Sequence, residues 1–405
     1  MSGTLFKAEI REIAAGGAGL ARIDGKNVFI EGTVPGETVL CRITEERGSW
    51  AQAELLEIPE ASPDRVRPAC GFYGVCGGCN LQHMSYPAQL AAKTGILKGA
   101  FIRIAGFCPS EPAVSPCDPW EYRNRMQFHA IRQFDKTQPD AFCGLKARKS
   151  GAVVPVSDCP VADPGIRGLL RDKGGGAKGI LVSPGKDRVT VYARNGLLLS
   201  EGGVSRGRTR ILEKELALDA GVFFQSNGAM LEKLVSDLRE IAAGLTGAGR
   251  NLPMADLCCG VGTFAAFLGE FFPGVDMVEE NRAALALARE NLAPLGSANF
   301  YAKRIEEWAT GKSAPAARFR DYGFVVVDPP RQGLDLVLTR KLAENGPPVL
   351  AYVSCNPATL ARDGKTLLGA YELAELRWYD FYPQTAHVES LALFVKSAEH
   401  WRPPH

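Results

Sequence analysis

Along residues 223–380, short apolar runs alternate with amphipathic stretches whose apolar residues recur every three or four positions. The runs at about 253–257, 274–279, 298–302, 323–327, 348–353 and 371–380 predict buried strands, and the stretches between them predict helices. In the first of these helices Leu231, Leu234, Val235, Leu238 and Ile241 share one face, with Ser226 or Asn227 placed to cap it. This alternation is the grammar of an α/β doubly wound parallel sheet of Rossmann type. The earlier chain has a different texture. Residues 4–58 alternate apolar and polar around glycine and proline turns, which predicts a small OB-like β-barrel. Prolines 59, 63 and 68 mark a linker, 87–104 reads as a helix, and 110–215 reads as strands and turns interrupted by Gly174-Gly175-Gly176. Three units follow, 1–60, 61–220 and 221–405.

Length agrees, since 405 residues exceed what one hydrophobic core usually serves. The first residues lack the apolar core of a signal peptide and no apolar run reaches membrane-spanning length, so a cytoplasmic protein is expected. Eleven cysteines in a reducing compartment point to metal ligation or catalysis rather than disulfides. The net charge of +2 hides an asymmetry. Residues 1–60 carry 6 basic and 10 acidic groups, 61–220 carry 23 and 14, and 221–405 carry 18 and 21. The middle unit is thus +9 between ends of −4 and −3, a landing surface for a polyanion such as RNA. Within it, Trp120-Glu121-Tyr122-Arg123-Asn124-Arg125 sets cations beside aromatics, which suits stacking on bases and contact with phosphates, or else a solvated strand edge.

Cys70, Cys76 and Cys79 lie within ten residues among glycines that let the backbone fold around a compact ion or cluster. A fourth ligand must come from elsewhere. Cys159, followed by a proline, is favoured, with Cys108, Cys117 and Cys143 open on spacing. The five-residue first gap favours an iron–sulfur cluster over tetrahedral zinc, whose paired cysteines are usually two to four residues apart.

In the last unit, Asp256-Leu257-Cys258-Cys259-Gly260-Val261-Gly262-Thr263 follows the first predicted strand, where glycines let a ligand lie against the backbone. With Glu279 ending the next strand it also fits a dinucleotide fingerprint, so NAD is a rival cofactor. Asp328-Pro329-Pro330-Arg331 turns the choice to S-adenosylmethionine, being characteristic of methyltransferases that use it. Enzymes that methylate exocyclic amines usually carry an aromatic where Arg331 stands, so a carbon target is indicated. Cys355 then falls at the carboxyl end of the 348–353 strand, where a thiol can attack an electrophilic carbon or can simply be a buried, inert cysteine.

The ordered set of motifs resembles the RNA uracil-5-methyltransferase family, in its iron–sulfur branch, over nearly the whole chain. Residues 16–39 resemble the TRAM domain; Phe223-Phe224-Gln225, Ser354-Cys355-Asn356-Pro357 and Thr385-Ala386-His387-Val388-Glu389 complete the likeness. The resemblance implies Cys355 as nucleophile, Glu389 as base, and a [4Fe-4S] cluster on Cys70, Cys76, Cys79 and Cys159. It implies S-adenosylmethionine contacts from Gln225, Asp256, Cys258, Gly260, Gly262, Thr263, Glu279 and Asp328. The family commonly has an aromatic residue where Cys258 stands. The implied substrate is a uridine extruded from a loop or single strand of RNA, with 23S ribosomal RNA expected and transfer RNA the alternative. Two competing readings are a DNA cytosine methyltransferase, whose cysteine would be expected after a proline, and a non-catalytic iron–sulfur RNA-binding protein, which leaves Cys355 and Asp328 without purpose.

Overall fold

The structure is a computed structural model that describes residues 5–131, 142–171, 186–311, 319–397 and 400–402; the glycine run at 174–176 lies outside them. No helix among the described residues is long and apolar enough to cross a membrane. Strands β1 (Leu5–Glu9), β2 (Glu12–Ile13), β3 (Gly19–Ile23), β4 (Lys26–Ile30), β5 (Thr38–Arg47) and β6 (Trp50–Glu60) form one sheet in the order β1-β5-β6-β4-β3-β2. Alternation sets its faces. Val39, Cys41 and Ile43 turn into a core with Ala21, Val28 and Ile30, while Arg42 and Thr44 are exposed. The expected barrel is not closed, because β1 and β2 are the two edges and no ladder joins them. Ile10 and Arg11, which link those strands, donate their N–H groups inward to Glu37 and Leu20, curling the sheet without pairing its edges.

Buried polar contacts dock this sheet on the loop that carries the first three cysteines. The Glu37 carboxylate is fully buried and accepts from Arg65 at 2.5 and 2.8 Å and from the Val34 N–H at 2.8 Å. The His83 ring bridges the Thr33 carbonyl at 3.0 Å and the Tyr73 hydroxyl at 2.6 Å.

After β7 (Ala113–Ser115), strands β8 (Arg125–Ile131), β9 (Phe142–Lys146), β10 (Val153–Val154), β11 (Arg188–Arg194) and β12 (Leu197–Ser200) form a second sheet, ordered β10-β9-β8-β11-β12. Packed on it is the helix Pro164–Arg171, absent from the sequence expectation, which buries Ile166 and Leu170. A hairpin, β13 (Arg206–Ile211) and β14 (Lys214–Asp219), leads into the last region.

There β15 (Met254–Leu257), β16 (Val275–Val278), β17 (Ala298–Tyr301), β18 (Phe324–Val327), β19 (Val349–Ser354), β20 (Glu372–Tyr379) and β21 (Glu389–Val395) form a sheet ordered β17-β16-β15-β18-β19-β21-β20-β7. Every residue of β15, β16, β18 and β19 is buried, which is why these strands read as unbroken apolar runs. The sheet is mixed rather than wholly parallel as expected: β21 runs antiparallel between β19 and β20. A nine-residue loop joins β20 to β21, long enough for an antiparallel return but too short for the usual parallel crossover. Two elements from earlier in the chain complete the layer. β7 pairs with β20, and the helix Tyr86–Ala100 packs Ile96, Leu97 and Ala100 into a core with Leu360, Trp378 and Phe394. The helix Gly228–Ala243 starts where predicted, capped by Asn227, whose side chain accepts from the Met230 N–H at 3.2 Å.

Burial alone would raise the pKa of Glu37, but hydrogen bonds from Arg65, Val34 and Ser62 outweigh it and hold the carboxyl below its usual range. A carboxylate depressed in the folded state stabilises above its unfolded pKa, and that contribution is lost as pH falls. Glu37→Gln is therefore expected to lower stability by about 2 kcal/mol at neutral pH. The gap in melting temperature from wild type should narrow toward pH 4; a gap that stays constant with pH would show that the charge on Glu37 is not what holds this sheet in place.

Candidate active site

The order of the last sheet reverses between β15 and β18, and the crevice outside the carboxyl ends of such strands is where ligands bind in open α/β sheets. A cavity of about 1120 Å3 lies there, lined by Gln225, Cys258, Gly260, Thr263, Glu279, Asp328, Arg331, Cys355, His387 and Glu389 among others. Eight of the ten residues that the sequence singled out for chemistry or cofactor contact thus share one space. Asp256 and Gly262 are not in its lining. Asp256 is wholly buried behind the loop, with one carboxylate oxygen accepting from the Ala265 N–H at 3.1 Å and the other without a partner among the described residues. Gly262 is a packing residue: a Cβ there would come within 2.7 Å of Leu292, and its φ of 79° disfavours other residues.

The strand ends determine how the side chains meet. Cys355 directly follows β19, and the turn after it is fixed by Asn356, whose amide donates to the Arg331 carbonyl at 2.9 Å and whose carbonyl oxygen caps the next helix. The turn after Cys355 and the Asp328–Arg331 turn are therefore tied together. Glu389 starts β21 and is only 4% exposed, which excludes a surface carboxylate. The antiparallel register pairs Ser354 with Ser390, and Cys355 and Glu389 are the residues next to that last pair of the ladder. Glu279 accepts from the Gly260 N–H at 3.0 Å and the Asn281 N–H at 2.7 Å, pinning the glycine loop to the end of β16. The Gln225 side chain has no hydrogen-bond partner among the described residues.

A family model for tRNA (uracil-5-)-methyltransferases matches residues 210–397, and a TRAM-domain model matches residues 1–56. The 23S rRNA (uracil(1939)-C(5))-methyltransferase RlmD of Pseudomonas entomophila is 32% identical, with 95% of this chain and 92% of that protein covered. RlmD of Vibrio cholerae is 30% identical, with 94% and 93% covered. This chain belongs to the RNA uracil-5-methyltransferase family. The fold agrees: the solved Pyrococcus abyssi tRNA (uracil-54, C5)-methyltransferase, in complex with S-adenosyl-L-homocysteine, superposes with a TM-score of 0.70 at 23% identity, covering 96% of this chain and all of that one. The family is S-adenosylmethionine-dependent, as the motifs led one to expect, and the amino-terminal sheet is its TRAM domain.

In this uracil-5-methyltransferase the cavity concentrates acidic groups away from water. Burial pushes the Asp328 carboxyl up to about 7. Burial and then the charge of Asp328 raise Glu389 well above the usual carboxylate range, with Arg331 opposing. Burial, then Glu389 and Asp328, push the Cys355 thiol up to about 11, again against Arg331. His387 is driven down to about 4 by burial and by the cations Arg331, Lys93 and Arg123, so its ring is neutral at physiological pH. Cys258 has a left-handed backbone, φ 60°, and burial raises its thiol. Sequence reasoning gave no role to Tyr382, whose ring lies 5.8 Å from that of His387 and lines the cavity, because nothing in its local pattern marks it.

A second, smaller cavity of about 30 Å3 is lined by Cys70, Cys76, Cys79 and Cys159 together, and not by Cys108, Cys117 or Cys143. Among the described residues no three His, Cys, Asp or Glu side chains stand as a ready metal site. Burial pushes the Cys79 thiol up to about 11 and Cys159 to about 12. Arg123, which the sequence suggested for phosphate contact, instead lines this cavity and eases the ionisation of Cys76, Cys79 and Cys159. Arg125 lies over the exposed Phe223 ring, 5.7 Å from its centroid, and donates to the Ala220 carbonyl at 3.3 Å.

Burial, then the charges of Asp328 and Glu279, push the Asp256 carboxyl up to about 8 against the hydrogen bond from Ala265. Between roughly pH 4 and 8 the folded chain thus keeps a proton that the unfolded chain releases, so stability falls as pH rises across that window. Asp256→Asn should flatten part of this fall in a series of thermal melts, leaving the share due to Asp328 and Glu389. Wild-type and variant curves that run parallel from pH 5 to 8 would mean that Asp256 is ionised throughout.

Proposed function

We propose that this protein transfers a methyl group from S-adenosylmethionine to carbon 5 of one uridine in 23S ribosomal RNA, through a covalent bond between Cys355 and carbon 6. The observation that carries this is the meeting of Cys355, Glu389, Asp328 and Glu279 around one cavity at the carboxyl edge of the sheet. The cavity fits the cofactor in size and sign: acidic side chains crowded out of water favour a cationic sulfonium. Gln225, Gly260, Thr263, Glu279 and Asp328 would hold it, with Glu279 suited to ribose hydroxyls. Asp256 and Gly262 shape the loop from behind. Two relatives at 30–32% identity are named as 23S rRNA enzymes, which favours that substrate over transfer RNA.

Carbon 5 of uracil is a weak nucleophile. Addition of the Cys355 thiolate to carbon 6 moves the ring's electron pair to carbon 5 as an enolate. When bound, S-adenosylmethionine supplies an electrophilic methyl group to that carbon. Glu389, ionised, then takes the proton from carbon 5; the electron pair re-forms the double bond and expels the Cys355 thiolate. Arg331 favours the ionised form of both groups. The target base must leave its stack to reach a half-buried thiol, and the +9 middle unit would hold the flanking phosphates. We read the chain as three functional units, a TRAM unit at 1–60, an RNA-binding unit at 61–220 and a catalytic unit at 221–405 that borrows the helix Tyr86–Ala100 and β7.

Cys70, Cys76, Cys79 and Cys159 would hold a [4Fe-4S] cluster. Support comes from the four thiols sharing one cavity, the glycine-rich loop around them and the counter-charge of Arg123. Protein purified without oxygen should then carry about four irons per chain, and Cys159→Ser should lower that content. Stoichiometric zinc without iron would refute the cluster.

The two chemical steps can be stalled separately. Cys355→Ala should abolish methylation while the cofactor still binds. Glu389→Gln should slow turnover by roughly 100-fold or more and accumulate protein joined to methylated RNA, seen as a slow band on a denaturing gel. The double variant should show none. A Glu389→Gln protein that turns over normally without trapping RNA would assign the proton transfer to another group.

A further inference from the structure

The loop between β20 and β21 carries Tyr382 and His387 to the cavity and ends at Glu389. Its backbone departs from easy geometry. Gln384 has φ 69°, a left-handed conformation that a non-glycine residue adopts only when its surroundings impose it. Those surroundings come from the first 122 residues of the chain. The amides of Gln384 and Gln89 bond reciprocally, side chain to side chain at 3.0 Å and Gln384 N–H to Gln89 at 2.9 Å. Lys93 donates to the Tyr382 carbonyl at 2.9 Å, and the Tyr122 hydroxyl donates to the Pro383 carbonyl at 2.8 Å.

Asn80 joins three parts of the molecule at this loop. It directly follows Cys79. Its N–H and that of Leu81 both donate to the Gln384 carbonyl, at 3.0 and 2.9 Å. Its side-chain oxygen accepts from the Ala386 N–H at 2.9 Å, three residues before Glu389, and its side-chain nitrogen donates to the Gly16 carbonyl of the TRAM domain at 2.7 Å. The fit against that domain is close: at Gly17, φ 92°, a Cβ would lie 2.5 Å from the Asn80 amide nitrogen and 3.3 Å from Ala386.

We propose that Asn80 is a positioning residue for the catalytic base, holding the loop that ends at Glu389 by accepting from the Ala386 N–H. This rests on the covalent mechanism above, with Glu389 as the base. Loss of the acceptor lets the loop relax from its left-handed turn and moves Glu389 away from carbon 5, while the nucleophile, directly after β19, stays where it is. A displacement of about 1 Å can slow a reaction by about 100-fold, and the step affected is release, not addition.

The test uses the full-length, cluster-loaded protein. Asn80→Ala should lower kcat by about tenfold to a hundredfold, leave the KM for RNA and the cofactor affinity within about threefold, and raise the fraction of protein trapped as a methylated RNA adduct. Asn80→Asp keeps the acceptor for Ala386 and should restore release to within about threefold of wild type. Iron content and melting temperature report whether Asn80→Ala disturbs the cysteine loop. Gln89→Ala, on a helix away from the cysteines, frees the same loop and should trap adduct as well. Glu389→Gln run in parallel separates the two hypotheses. If it traps RNA and neither Asn80→Ala nor Gln89→Ala does, the positioning role is wrong; if it does not trap, the choice of base is wrong. Equal losses in Asn80→Ala and Asn80→Asp would also overturn the proposal, because the Gly16 contact would then be the one that matters.

Discussion

Like charge confined away from water governs this site. Burial raises the carboxyls of Asp328, Glu389 and, one layer behind, Asp256 above their usual range; Asp328 raises the other two further, and Glu389 and Asp328 raise the Cys355 thiol. Neutral side chains of similar shape would make a more comfortable fold. What makes the arrangement intelligible is a cationic ligand. Positive charge beside Asp328 would favour its ionised form and ease the ionisation of Cys355, so a cationic cofactor would offset the repulsion among these groups. Arg331, exposed at the rim, is the chain's own fraction of that charge.

Holding such a site open requires a frame that does not move with it. The buried strands β15, β18 and β19 supply it on one side. The loop from β20 to β21 has no such support of its own, and the contacts that fix it come from residues that are remote in sequence: Asn80, Gln89, Lys93 and Tyr122. The TRAM domain and the cysteine loop are therefore structural neighbours of the cavity. Their docking through Glu37, Arg65 and His83 is buried and polar, which favours one relative orientation over many.

Much of this was legible in the sequence because the physics that writes it is local. Strands covered on both faces leave apolar runs, and all six strands expected in the last region lie within two residues of their observed bounds. Cys355 at a strand's carboxyl end followed from the run before it. Four things were not legible. The reversed strand β21 is fixed by its neighbours in the sheet, which no window along the chain can read. Asp256 and Gly262 sit in a glycine motif whose spacing is the same whether a residue faces the ligand or the wall behind it. Asn80 acts through a hydrogen bond to a residue 306 positions away, and Arg123, read locally as a surface cation, turns inward among cysteines that only the fold assembles.

The reversed strand has a consequence for how this enzyme can change. With β21 antiparallel to β19, Cys355 directly follows one strand and Glu389 begins the other, each next to the Ser354–Ser390 pair that ends the ladder, so backbone pairing sets their spacing. Side-chain substitutions around them can tune acidity without altering that distance. Insertion or deletion of a single residue within either strand is different, since it would shift the register and turn Glu389 to the opposite face of the sheet. Length variation among descendants of this chain should therefore collect in surface connections and leave 349–355 and 389–395 constant. The catalytic separation would then outlast most of the sequence that surrounds it.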